Sequence, residues 1–297
     1  MEEIRKILNT LAPELRLHAA EPFRAEEDGR AYQVWKLETD RGAMVLKKTT
    51  RKEREVYEVF FSQGGPAPKV YAFTEADGET WMLMEFVSGE SMSDCTRERL
   101  ILTLDVLIES QKRWWGEEAL AHVGYGFRES WPNRCKRLEY MGDLAPGYRA
   151  YLDAFESLPR TLCNDDLLPF NVLADEGRAV ILDWEYGGIL PWPCAIARLL
   201  AFGEDRADAM FRMSGEDRDF ALTYYYENLL REKGYARAEY DRMIDLFFLK
   251  EYTEWVYCAA VSGDYEMEYY KIYSKKARVL AEQMGLLKEK GGEACFD

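Results

Sequence analysis

Asp166 and Asn171 are separated by four residues in the run Cys163-Asn164-Asp165-Asp166-Leu167-Leu168-Pro169-Phe170-Asn171-Val172-Leu173. A third residue of the same chemical kind, Asp183, ends the apolar run Ala179-Val180-Ile181-Leu182 and precedes Trp184-Glu185-Tyr186. An Asp followed at this spacing by an Asn suits a general base and a metal-binding amide, and an Asp at a strand end suits the main magnesium ligand. Mg²⁺ takes hard oxygen ligands and fills its shell with water and phosphate oxygens, so this is a set that phosphoryl transfer to a hydroxyl can use. A bare Asp-x₄-Asn is expected about once by chance in a chain of this size. Asp and Asn also serve as turn formers between strands. The second Asp after an apolar run, with matching features far upstream, raises the chemical reading above both.

These residues need a scaffold. Thr161-Leu162-Cys163 is an apolar lead-in, and two apolar segments flank the turn-like Asp175-Glu176-Gly177, which reads as loop, strand, turn, strand. Upstream, residues 30–37 and 43–47 read as strands joined by a hairpin turn at Asp40-Arg41-Gly42. Alternation along a strand sends Lys47 and Lys48 to opposite faces. Residues 51–61 read as a helix with Val56, Val59 and Phe60 on one face. Trp81 to Val87 is a buried strand that runs into Ser88-Gly89. An amino-terminal helix over residues 3–11 closes at Pro13. The remainder reads as helices over 97–115, 131–144, 148–158, 194–202, 218–233, 240–260 and 264–284, with a tail from Gly291-Gly292.

Asn164-Asp165-Asp166-Leu167 through Asn171, with Leu182-Asp183-Trp184-Glu185-Tyr186, resembles the aminoglycoside phosphotransferase and choline kinase family, whose members share the protein-kinase fold. The Asp-Trp-Glu-Tyr wording is nearer the choline-kinase side. The resemblance implies an α+β, two-lobed fold, with a β-rich amino-terminal lobe over residues 1–87 and a larger helical lobe over 88–297. It implies Lys47 on the phosphates, held by Glu55, and the purine edge on the backbone of the linker, with Glu85 and Val87 as its residues. It implies ATP (or GTP) and Mg²⁺ as cofactors, Asp166 as base, and Asn171 and Asp183 as metal ligands. The phosphate loop would fall near residues 25–30, which hold one glycine and several acids. Asn164 stands where the family usually has His, and Ala195 where many relatives carry an Asp that supports the catalytic loop. A protein that kept the fold without turnover, like the spore-coat proteins that resemble the family, is the rival reading.

No Ala-Pro-Glu segment follows Asp183, which favours a small-molecule acceptor over a peptide. A cationic acceptor, choline-like or an aminoglycoside, would be held by Glu185, Tyr186, Trp192 and Trp255, with Tyr252 and Tyr265 as further wall residues. The 297-residue chain carries a net charge of −15, from 39 basic and 54 acidic residues, which argues against nucleic acid or anionic membrane as partner. No apolar run reaches membrane-spanning length. Two histidines, His18 and His122, make a histidine triad or zinc site improbable. Six cysteines without paired or metal-type spacing fit free thiols in a reducing cytoplasm. The expected working unit is a monomer or weak homodimer.

Overall fold

The computed structural model describes residues 2–24, 29–175, 177–206, 209 and 211–288. The amino-terminal part is an antiparallel five-stranded sheet, β1 (Leu17–Arg24), β2 (Ala31–Thr39), β3 (Gly42–Thr49), β4 (Val70–Ala76) and β5 (Glu79–Glu85), in the order β1-β2-β3-β5-β4. Helix α1 (Glu2–Leu11) covers one face with Ile4, Ile7 and Leu8 against Leu37, Leu46, Trp81 and Leu83. The other face presents Val45, Met82 and Met84 to the main core, which also takes Val56, Tyr57 and Phe60 of α2 (Arg51–Phe60). The period-two alternation of β3 thus sends Leu46 to α1 and Lys47 inward, while Lys48 faces out and pairs with Glu79 at 2.8 Å. Strand β1 carries no clear sequence signal. It is an edge strand interrupted by Pro22 and irregular in register on both sides, a place where a proline costs no ladder bond.

Two small sheets follow: one of three strands, β6 (Glu90–Ser91), β8 (Val172–Asp175) and β9 (Arg178–Ile181), and one of two, β7 (Arg160–Asn164) and β10 (Gly187–Pro191), paired antiparallel. The helices are α3 (Arg97–Arg113), α4 (Phe127–Arg137), α5 (Ala145–Ser157), α6 (Pro193–Leu200), α7 (Gly215–Tyr225), α8 (Arg237–Ser262) and α9 (Glu268–Gln283). Two short bridging strands, β11 (Gly203–Glu204) and β12 (Phe211–Arg212), lie between α6 and α7. Helix α8 buries Tyr240, Ile244, Phe247, Phe248 and Leu249, and Lys250 and Glu251 with them, because α5, α6 and α9 all pack on it. Helix α5 starts before Pro146 rather than after it, since proline fits the first helical turn. The segment expected as a helix to residue 144 ends at Arg137 and continues as two tight 3₁₀ turns, the second opened by Gly142 with φ of 54°. Among the described residues no helix is long and apolar enough to cross a membrane. The five described cysteines carry no disulfide.

Candidate functional site

Lys47, on β3, projects into the cleft between the sheet and the helical part. Its Nζ lies 2.7 Å from Glu53 Oε1 and 2.8 Å from Asp183 Oδ1. Burial alone would push the ammonium down, but the Glu53 and Asp183 carboxylates outweigh it and hold Lys47 above its ordinary range. The partner expected from sequence, Glu55, is not there. Thr50 caps α2 through the Glu53 N–H, and this register puts 53, 56, 57 and 60 on the buried stripe. Glu55 and Val59 face solvent, and Glu55 sits 3.5 Å from Arg51, one turn back. Glu53 is further fixed by Thr49 Oγ1, donating at 2.6 Å, and by the Trp184 N–H at 3.2 Å.

Strand β7 delivers Asn164 to the start of the loop, and β8 and β9 bring the chain back to Asp183. The Asn164 amide donates to the carbonyls of Leu182 (3.3 Å) and Asp183 (2.9 Å), while its Oδ1 accepts from the Asp166 N–H at 3.0 Å. Asn164 therefore ties the loop to the strand end that carries Asp183. Asp183 itself adopts the left-handed region, φ 52°, which costs energy for a residue with a Cβ and turns its carboxylate into the cleft. Asn171 Nδ2 donates to the Asp166 carbonyl at 2.9 Å, which leaves its Oδ1 as the free end.

Asp166 does not stand alone. Arg198 of α6 donates from Nη2 (2.7 Å) and Nε (3.2 Å) to one oxygen, Asp166 Oδ1. Burial raises the Asp166 carboxyl, and Arg198 offsets only part of that rise. Arg198 Nη1 donates to Glu251 Oε2 at 2.9 Å, and Glu251 Oε1 accepts from Lys250 at 3.0 Å. Lys250 also meets Glu254 at 3.0 Å, Glu254 holds Arg137, and Arg134 holds Asp165. None of Glu53, Arg134, Arg198 or Glu251 figured in the sequence reading. A signal existed for three of them: Glu53 shares the stripe of Val56 and Phe60, and Arg198 and Lys250-Glu251 interrupt apolar runs, where a charge requires a partner; Arg134 lies in a polar stretch and gives none.

Two cavities meet at the loop. The first, about 570 Å³, is walled by Val34, Val45, Lys47, Met84, Glu85, Phe86, Val87, Phe170, Asn171, Leu173, Leu182 and Asp183. Glu85 turns its carboxylate away to Arg178 at 2.6 Å, so only its backbone is available there. The expected phosphate loop falls mostly on residues 25–28, and the tail on 291–297; both lie outside the described residues. The second cavity, about 370 Å³, lies on the other side of the loop against Leu168 and Arg198, with Phe202, Glu204, Phe211, Glu254, Trp255, Glu268, Tyr269 and Tyr273 in its wall.

The acceptor residues expected from sequence divide. Trp255 lines the second cavity, its ring tilted 33° against Tyr269 with centroids 4.6 Å apart. Glu185 and Tyr186 follow Asp183 on a 3₁₀ turn. Glu185 makes no salt bridge among the described residues, and burial plus the Asp183 and Glu53 charges raise its carboxyl. Tyr186 is exposed, edge-on to Tyr125. Trp192 is a correction: it is fully buried and stacked on Tyr240 at 5.7 Å, because the prolines flanking it turn the ring into the core of the helical part. Tyr252 packs on Tyr273 toward an outer groove between α8 and α9, and Tyr265 is exposed outside both cavities.

An ion could find oxygen donors here. Among the described residues no cluster of three His, Cys, Asp or Glu side chains is preformed for a metal. Asn171 Oδ1 and Asp183 Oδ2 are hard donors, a set that suits an oxygen-loving cation such as Mg²⁺ completed by water and phosphate oxygens.

The sequence profile of the phosphotransferase enzyme family matches residues 20–229. No protein of curated function matches the chain. Among solved structures, choline kinase LicA from Streptococcus pneumoniae superposes with a TM-score of 0.62 at 13% identity, covering 95% of this chain and 100% of that one. Amicoumacin kinase hAmiN, in complex with AMP-PNP, Ca²⁺ and Ami, gives 0.62 at 10% identity, covering 95% and 93%. A thermostable mutant of aminoglycoside phosphotransferase APH(4)-Ia gives 0.58 at 14% identity, covering 94% and 98%.

Proposed function

The chain belongs to the phosphotransferase enzyme family, and from that premise we propose that it moves the γ-phosphoryl group of ATP (or GTP) to a hydroxyl of a small cationic molecule, with Mg²⁺. The observation that carries this reading is the meeting of Lys47, Glu53 and Asp183 with Asp166 and Asn171 at one loop between two cavities. The first cavity offers apolar walls to a base and Lys47 to phosphates. Asn171 and Asp183 would hold Mg²⁺, which supplies charge neutralisation at the phosphates. Asp166 would accept the hydroxyl proton on the oxygen that Arg198 leaves free, and its raised carboxyl makes it a better proton acceptor than an exposed carboxylate. The lobes would divide at residues 1–87 and 88–297, with the linker backbone of Glu85 and Val87 on the base.

The acceptor is the finer part of the proposal. Of the carboxylates in the second cavity, Glu204 is held by Lys276 and Arg206, and Glu254 by Lys250 and Arg137. Glu268 and, beside Asp183, Glu185 remain for a ligand. With Trp255 and the tyrosines as cation–π faces, this fits one or two ammonium groups rather than a polycation. The test is Mg²⁺-dependent ADP release across choline-like amines, aminoglycosides, neutral sugars and nucleosides. Turnover of amines that falls in Glu185→Gln supports the reading. Turnover of neutral acceptors alone defeats the cationic acceptor, and no turnover of any acceptor with folded protein defeats the kinase reading.

A further inference from the structure

The strongest feature outside the expected site is the buried charge network behind the loop. Arg134, Arg137, Arg198 and Lys250 face Asp165, Asp166, Glu251 and Glu254, so four cations balance four carboxylates. Glu251 is 1% exposed and Lys250 4% exposed, on a helix that contributes nothing else to the loop. Charges at that depth persist only when paired. Arg198 has three donors in use: two converge on Asp166 Oδ1, and the third ends on Glu251 Oε2. A guanidinium is a planar fork, so fixing Nη1 fixes the direction of Nε and Nη2. Glu251 in turn is fixed by Lys250, which also binds Glu254.

We infer that Glu251 is a positioning residue for Asp166: through Arg198 it locks one carboxylate oxygen and leaves the other aimed at the acceptor side of the cleft. The inference rests on the kinase reading for its consequence but not for its geometry. At Ala195, one turn before Arg198, α6 offers no carboxylate of its own to brace the loop, so the brace comes from α8. Glu251 touches neither cavity, so its effect passes through its partners: orientation of Asp166 by Arg198 acts on kcat, whereas a change at the wall that Arg198 and Glu254 give the second cavity acts on KM.

The experiment compares Glu251→Gln with the charge-balanced double variant Lys250→Met/Glu251→Gln, which keeps a folded comparison if the single change strands Lys250. Two readouts are taken. The first is hydrogen exchange of the Arg198 Nε–H in the protein without nucleotide, identified by its loss in Arg198→Lys. The second is steady-state turnover. The expected result is Nε–H exchange at least tenfold faster in either variant. Turnover should fall tenfold or more, with KM for nucleotide and acceptor within twofold. Unchanged Nε–H exchange in a folded variant overturns the inference, and so does a rise in KM at unchanged kcat. A protected Nε–H that is lost in the variants, in a parent with no turnover of any acceptor, would leave the positioning intact and remove the kinase reading instead.

Discussion

Replacing Glu53 or Glu55 by Gln separates two positions that sequence alone does not. Glu53 is 1% exposed and accepts from Lys47 at 2.7 Å, Thr49 at 2.6 Å and the Trp184 N–H at 3.2 Å. Gln keeps one acceptor oxygen and presents its NH₂ to the Thr49 hydroxyl, which can turn and accept. The loss is then one charge-assisted contact, about 1.5–3 kcal/mol. Stranding a buried charge outright costs more, about 3–5 kcal/mol, but Lys47 still has Asp183 at 2.8 Å. In a chain of this size a loss near 2 kcal/mol lowers Tm by several degrees. Lys47 freed from Glu53 would lean on Asp183 and leave the phosphate side of the cleft, so kcat/KM for nucleotide should fall roughly 10–100-fold, about 1.4–2.8 kcal/mol of transition-state stabilisation. Glu55 pairs with a mostly exposed Arg51 at 3.5 Å, worth at most about 0.5 kcal/mol, and Glu55→Gln should change neither Tm nor turnover. Thermal unfolding and Mg²⁺-dependent ADP release on both variants decide it. Equal losses in the two, or intact kcat/KM in Glu53→Gln, would refute the assignment of Glu53 to Lys47.

Asp166→Asn should cut turnover about 10²–10⁴-fold while nucleotide binding by calorimetry stays near the parent value; Asp165→Asn should instead act on stability, since its partner Arg134 is buried. Asp183→Ala should abolish the Mg²⁺ dependence of nucleotide binding, measured by titration with and without the ion. Glu254 is held down to about 2 against its burial by Lys250, Arg137 and Arg198. A carboxyl depressed in the folded state contributes stability that is present above its ordinary pKa near 4.5 and is lost as pH falls toward about 2. Chemical denaturation at pH 6 and pH 3 should therefore show Glu254→Gln less stable than the parent at pH 6, with most of that gap closed at pH 3; a gap independent of pH would sink the claim.

The loop motif and its flanking strands were legible because they rest on local rules. Alternation sets the face of Lys47, turn chemistry sets the β8–β9 hairpin, and an Asp at a strand end can be read from its neighbours. What failed was helix register. Val59 and Phe60 look alike as apolar residues, and only the Thr50 cap fixes which of Glu53 and Glu55 lies on the buried stripe with them. Trp192 failed for another reason: closeness in sequence to Asp183 says nothing about direction once two prolines turn the chain. The buried network was invisible as a network, because its members come from α4, α6, α8 and the loop, up to 117 residues apart in the Arg137–Glu254 pair. Only the signatures of Arg198 and Lys250-Glu251, charges inside apolar runs, were present in the sequence.

Of the three departures that favour a fold without turnover, the glycine-poor phosphate loop lies mostly outside the described residues, and the other two, Asn164 and Ala195, carry less weight once their surroundings are known. Asn164 keeps what matters at the loop's entry: an acceptor for the Asp166 N–H and donors for the carbonyls of Leu182 and Asp183, all within 3.3 Å. A neutral amide supplies both functions at once and needs no choice of protonation state. Ala195 removes a carboxylate from α6, yet Arg198 on the same helix is retained and finds Glu251 instead. The fold alone gives little ground for a network whose centre, Lys250 and Glu251, is buried, since hydrophobic residues of similar volume are often neutral or stabilising at such a place. Part of this network ends on Asp166 and part on Asp165, so its cost is spent on the geometry of the loop. Removing the central pair (Arg198→Met with Glu251→Leu) takes one charge of each sign out of the network, leaves Lys250 on Glu254, and should collapse turnover while Tm falls by only a few degrees. Turnover that survives alongside a marked loss of Tm would mean that the network serves only the fold.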